Sequence, residues 1–214
     1  MFFTRKSELI EAEQALPGRS ERPFHLSEKH TVLDTPIVTD TAPEGYEVAI
    51  FGLGCFWGAE EIFWKMDGVW STSAGYAGGT TPHPSYEEVC SGRTNHTEAV
   101  RVVYDPAQVS FADLVKTFFE VHDPTQGMRQ GNDVGTQYRS AIYYTTPEQE
   151  QTARELTKVY GDELARRRLG DITTEIREVP TYYYAEDHHQ QYLAKNPFGY
   201  RCHANTGVKF PADA

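Results

Sequence analysis

Only three of the 214 residues are cysteines, Cys55, Cys90 and Cys202, and no two of them form a C-x-x-C pair. They are too few and too dispersed for a disulfide framework. Each thiol is therefore a core residue, a nucleophile or a transient redox partner. Basic residues are scarce as well. The 20 Lys and Arg against 31 Asp and Glu give a formal charge of −11, which argues against nucleic acid and anionic membranes as partners. No apolar run approaches the length of a membrane span. The opening Met1-Phe-Phe-Thr-Arg-Lys-Ser-Glu8 lacks the apolar core of a secretory leader. Internal repeats are missing, and no compositional break divides the chain into two globular units. A soluble, cytoplasmic protein with one sizeable core is expected.

One stretch organises the rest: Glu47-Val-Ala-Ile-Phe-Gly-Leu-Gly-Cys55-Phe-Trp-Gly58-Ala-Glu-Glu-Ile-Phe-Trp-Lys65. Val48 to Phe51 form an apolar run of strand length, closed by Gly52 and Gly54. Phe56, Ala59, Ile62, Phe63 and Met66 then recur at helical spacing, with Glu60, Glu61 and Lys65 on the opposite face. This puts Cys55 in the first turn of a helix, where unpaired N–H groups and the positive end of the macrodipole favour a thiolate. The neighbouring glycines admit a ligand closely, and Phe56 and Trp57 supply an aromatic wall. A buried structural cysteine is the plain alternative, but two large aromatics inside a glycine bracket are odd choices for packing alone.

Along the chain, residues 1–43 read as an N-terminal arm, with a short helix over Ser7–Leu16 and no chemistry. Residues 44–196 read as the main α/β domain and 197–214 as a flexible tail. Strands are predicted over Gly68–Tyr76, Thr97–Tyr104, Ala141–Tyr144 and Thr173–Val179. Ser85 and Glu88 make a capping box for a short helix, Ser110 caps another, and Thr146-Pro147 opens a long charged one. Ala185–Lys195 reads as a further helix. The stretch from His122 to Ser140 is polar and glycine-bearing, the signature of a binding loop. Strands and helices alternate irregularly, which predicts a two-layer α/β sandwich (a ferredoxin-like α/β roll) with a mixed, partly antiparallel sheet.

No histidine stands in a recognisable base motif for Cys55, so a cysteine hydrolase or thiol transferase has no support beyond the thiol. A cysteine phosphatase is excluded, because Glu61 occupies the place of its arginine. A non-catalytic binding module that uses Phe56 and Trp57 as its recognition wall is a third reading. Cys202, in the tail after Pro197 and Gly199, is either an incidental exposed thiol or a partner that resolves an oxidised Cys55 as a disulfide. Cys90 sits on an apolar helix edge and reads as packing, with a second role open as a backup thiol partner for Cys55. His188, His189, His203 and Cys202 are close in sequence, but adjacent histidines diverge on a helix, so a solvated face is the better reading than a metal site. Glu98 begins an apolar strand; set in an aromatic pocket, it would hold its proton and act as a donor. Tyr86 and Tyr138 are either phenolic donors or packing residues, and Asp133 a site carboxylate or a turn residue.

Gly54-Cys-Phe-Trp-Gly58, Ala74-Gly-Tyr-Ala-Gly-Gly79, Tyr86–Gly92, His96-Thr-Glu-Ala-Val100, His122-Asp-Pro124, Arg129-Gln-Gly-Asn-Asp133, Gly135-Thr-Gln-Tyr-Arg-Ser140 and Tyr184-Ala-Glu-Asp-His-His-Gln-Gln-Tyr192 together resemble, in order, the motifs of the peptide-methionine (S)-S-oxide reductases. The resemblance spans about residues 44 to 210. It implies a monomeric oxidoreductase that repairs methionine sulfoxide, free or in proteins. Cys55 would attack the sulfoxide sulfur, Phe56 and Trp57 would hold the substrate methyl group, and Glu98, Tyr86 and Tyr138 would serve its oxygen, with Asp133 beside them. Cys202 would close a disulfide with Cys55, reduced by thioredoxin or a similar dithiol donor. No metal, flavin or nicotinamide is implied. In the tail, Arg201 stands where three-cysteine members carry their first recycling cysteine and Lys209 where they carry the last, so the tail resembles members with a single resolving cysteine.

Overall fold

The computed structural model describes residues 6–39, 41–202 and 204–212. Expectations that touch His203 and the first five residues lie outside them. The apolar run after Glu47 is strand β1 (Glu47–Leu53), and α1 (Phe56–Trp64) follows the glycine turn. Next come β2 (Val69–Ala77), α2 (Tyr86–Cys90), β3 (Thr97–Tyr104) and α3 (Phe111–Val121). Short β4 (Arg129–Gln130) and β5 (Asp133–Val134) form a separate hairpin. After them run β6 (Ser140–Tyr144), α4 (Pro147–Arg166), β7 (Glu175–Glu178), β8 (Tyr183–Tyr184) and α5 (Tyr192–Lys195).

The main sheet has the order β7-β6-β1-β3-β2-β8. All its pairs are antiparallel except β6 with β7, which the long α4 joins as a crossover, the connection that parallel neighbours require. The result is the expected mixed sheet with helices packed on it. β1 lies at the middle, which is why its sequence is continuously apolar rather than alternating. On one face Phe51 meets Phe63 at 5.0 Å and Phe118 at 5.5 Å between ring centres. Leu114, Val115, Phe118 and Phe119 of α3 are all fully buried there. The Ser85–Glu88 capping box forms as read, and the Ser110 cap is completed by Asp113 into a second box.

Four elements differ from the reading. The helix expected over Ser7–Leu16 is only a 3-10 turn, Ala12–Gln14, because the Ile10 N–H donates to Asn95 Oδ1 and its C=O accepts from Asn95 Nδ2. Elsewhere among the described residues of the arm, Leu26, His30 and Ile37 are buried and Arg19 is paired twice with Glu88 at 2.7 and 3.0 Å. The polar loop from His122 contains the β4–β5 hairpin and a 3-10 turn, Thr136–Tyr138. Strand β7 is shorter than predicted because the Thr173 N–H bonds the Pro124 carbonyl outside the sheet. The helix expected over Ala185–Lys195 is broken at Gln191, which is left-handed at φ 46°. Its backbone N–H and side chain both reach the buried Glu60 carboxylate at 2.7 Å, and that tertiary contact outweighs helical periodicity. Glu60, read as facing solvent, is accordingly fully buried.

Candidate active site

β1 ends and β3 begins at the same end of the sheet, so the chain after Leu53 arrives beside Glu98. Gly54 makes the turn at φ +91°, where a Cβ would lie 2.7 Å from the Gln130 side chain. Cys55 is the residue just before α1, with φ −54° and ψ 119°. The next N–H, that of Phe56, is donated to Glu98 Oε2 at 3.0 Å. One backbone bond thus fixes the carboxyl next to the thiol.

Glu98 is 1 % exposed. Burial pushes its pKa up to about 8, the Phe56 N–H opposes this, and Asp133 adds to it. At neutral pH the group holds its proton. The thiol departs from the reading. The N–H groups of Trp57 and Gly58 do hold its pKa down, as a helix start should. Burial first, then Glu98 once it is ionised, and Asp133 outweigh them, and the Cys55 pKa lies well above an ordinary thiol's. Cys55 therefore rests as a neutral thiol.

Phe56 is buried against Tyr76 at 5.9 Å and His189 at 5.1 Å. Trp57, half-buried, stacks on Tyr192 at 3.8 Å and donates its indole N–H to His189 Nδ1 at 3.0 Å. Tyr86 opens α2 and packs on His189 at 4.5 Å, with its N–H held by Glu186 at 2.7 Å. Tyr138 closes the 3-10 turn, near enough to Glu98, Cys90, Asp133 and Cys55 for each, once ionised, to raise its pKa. Burial first, then Glu98, pushes both phenols upward, so both remain proton donors. Asp133 is half-buried and accepts from Tyr200 Oη at 3.1 Å.

All the residues singled out at Cys55, Phe56, Trp57, Tyr86, Glu98, Asp133 and Tyr138 therefore meet at one end of the sheet. Cys202 lies beside them. It lines, with Cys55, Leu53, His122, Gln130 and Arg201, a cavity of about 190 Å³. Its Sγ–H points to the Gln130 carbonyl at 3.6 Å, and none of the three cysteines is in a disulfide. His189 corrects the reading of the histidine pair as a solvated face: it is 2 % exposed, and burial with His188 lowers its pKa to about 3. Tyr192 and Gln130 were given no role either. Their signal lay in motifs whose polar side chains turn inward only in the folded chain.

A thiol kept neutral beside a carboxyl kept protonated is suited to an uncharged acceptor whose oxygen must gain a proton before it leaves. That chemistry fits an oxidoreductase. The family model described as peptide methionine sulfoxide reductase matches residues 47–212, and the chain belongs to this family. A relative from Rhodospirillum centenum, peptide methionine sulfoxide reductase MsrA, is 57 % identical over 211 residues, covering 99 % of this chain and 95 % of its own. The solved methionine sulfoxide reductase A of Corynebacterium diphtheriae is 51 % identical, with a TM-score of 0.85 over 95 % of this chain and 99 % of its own. Mxr1 from Saccharomyces cerevisiae in reduced form is 32 % identical, with a TM-score of 0.71 over 78 % and 96 % of the two chains. Mxr1 has also been solved in complex with Trx2.

Proposed function

We propose that the chain reduces the S epimer of methionine sulfoxide, free and in proteins, by a two-thiol cycle. The observation that carries it is the Phe56 N–H bond to Glu98, which sets a protonated carboxyl beside the Cys55 thiol. The substrate methyl group rests against Phe56 and Trp57. The Cys55 sulfur bonds to the sulfoxide sulfur as Glu98 gives its proton to the oxygen, with the Tyr86 and Tyr138 hydroxyls donating to the same oxygen and Asp133 flanking it. The thiol proton replaces the one Glu98 gave. Collapse transfers the hydroxyl group to Cys55, and methionine leaves: thiol plus sulfoxide become sulfenic acid plus thioether.

Cys202 then attacks the sulfenic sulfur. The S–O bond breaks, the Cys55–Cys202 bond forms, and water leaves. The shared cavity supports this pairing. A thioredoxin-like dithiol reduces the bridge, a route supported by the Mxr1–Trx2 complex. Both electrons come from thiols, so the cycle needs no resident metal, flavin or nicotinamide.

The test is to give reduced protein an excess of each sulfoxide epimer without reductant, then measure released methionine and map cysteine-containing peptides by mass. One methionine per chain from the S epimer, with a Cys55–Cys202 bridge, is expected. A different bridge, or a lasting sulfenic acid, would overturn the recycling step. No release, with all thiols intact, would overturn the reading itself.

A further inference from the structure

The tail around Cys202 has no regular secondary structure, yet Arg201 gives it a defined shape. Its Nε and Nη2 donate to Glu61 Oε2 and Oε1 at 2.7 and 3.0 Å. Its Nη1 donates back to the carbonyls of Pro197 at 2.9 Å and Gly199 at 3.3 Å. One guanidinium therefore closes its own turn and fastens that turn to α1, the helix that starts at Cys55. Glu61, Arg201, Cys55 and Cys202 line the same cavity. The Glu61 pKa is held down to about 2, first by the Arg201 hydrogen bond, against the effect of burial and with help from Lys65. The carboxylate is thus present throughout the working pH range.

We propose that Arg201 is a positioning residue for the second thiol step: by clamping the 197–201 turn to α1, it holds Cys202 within reach of an oxidised Cys55 and sets the rate of disulfide closure. This rests on the reading of Cys202 as the resolving thiol. In that step, Cys55–SOH and Cys202–SH become Cys55–S–S–Cys202 and water, and Arg201 is unchanged. Intramolecular closure gains its speed from held geometry, and small displacements of the reacting atoms are costly. The pair is partly exposed, with 29 % of the Arg201 and 16 % of the Glu61 side chain open to solvent. Such pairs add little to stability, so the contribution is one of geometry. Lysine cannot replace it, having neither the fork that grips Glu61 nor the spare donors for Pro197 and Gly199.

The experiment uses the full chain and the variants R201A, R201K, E61Q and E61Q/R201A. Each is mixed, reduced, with excess S-sulfoxide and no reductant, then quenched at intervals. Methionine release reports the first step, and alkylation mass mapping reports the bridge. Release should match the wild type within about twofold in every variant, while closure slows by roughly tenfold or more. The double variant should be no slower than R201A alone. Closure at the wild-type rate in R201A, with a normal wild-type bridge, overturns the clamp alone. Slow closure in R201A with normal closure in both R201K and E61Q also overturns it, since charge or bulk rather than the bidentate pair would then be responsible. A wild-type chain that releases methionine without a Cys55–Cys202 bridge overturns the clamp together with the recycling route.

Discussion

Trp57 and His189 are joined by a 3.0 Å bond in which the indole N–H donates to Nδ1, so the half-buried indole is held from behind by a buried imidazole. Since Nδ1 accepts, the ring is the neutral Nε2–H tautomer. Replacing His189 with Phe keeps a ring but leaves the indole N–H without its partner, a loss of about 1 to 3 kcal/mol where the group is buried. KM for methionine sulfoxide should rise several-fold with a smaller change in kcat. Steady-state kinetics and Trp57 fluorescence check this, and unchanged values of both would remove the link.

Glu98 should matter in a pH-dependent way. Glu98→Gln keeps the acceptor for the Phe56 N–H but has no proton to give, so the chemical step should fall by roughly 100-fold or more with modest change in binding. In the wild type, activity should decline as pH rises through about 8, where the carboxyl loses its proton. A single-turnover pH profile that keeps this limb in Glu98→Gln would assign the titration to another group.

Buried titratable groups set opposing limits on stability. Glu98 and Glu60 have pKa values raised from 4.5 to about 8 and about 7, chiefly by burial, so above 4.5 the native chain holds protons that the unfolded chain loses. Stability from these two is lost as pH rises through 7 to 8. His30, His96 and His122 are lowered by burial from 6.5 to about 4, and His189 to about 3. There the unfolded chain binds the extra proton, and stability is lost as pH falls below 6.5. Each group contributes a slope of at most about 1.4 kcal/mol per pH unit. Four histidines against two carboxyls place the maximum near pH 6.5, to be checked by denaturant unfolding across pH 4 to 9.

Gln191→Ala should destabilise the fold by about 1 to 3 kcal/mol. It removes the 2.7 Å donor to Glu60 and the acceptor for the Thr31 N–H, loosening the arm, α1 and the turn that carries His189 together. Urea unfolding measures the cost. A loss below a few tenths of a kcal/mol would mean that Thr72 and water replace the contact.

The site was legible where local signals carry the structure. A strand, a glycine turn and a helix start brought Cys55 to its place, and the capping box brought Tyr86 to the start of α2. The elements fixed by distant partners were not legible. Glu60 looks like an outer residue of α1 until Gln191, 131 positions away, and Thr72 satisfy its carboxylate. Gln191 breaks an apparently helical run for the same reason, and His189 turns inward with it. The charge state of Cys55 was misread because the helix start is a local effect, whereas the burial that overrides it belongs to the whole fold. The motif resemblance covered what periodicity could not, namely which of several plausible residues converge.

The outer strands of the main sheet bear on the company such an enzyme keeps. One border, β7, reads Glu-Ile-Arg-Glu, and the other, β8, is two residues long. A border that is short or charged is a poor template for another extended chain. Such borders keep the sheet from taking up a further chain's strand and so from growing into insoluble assemblies.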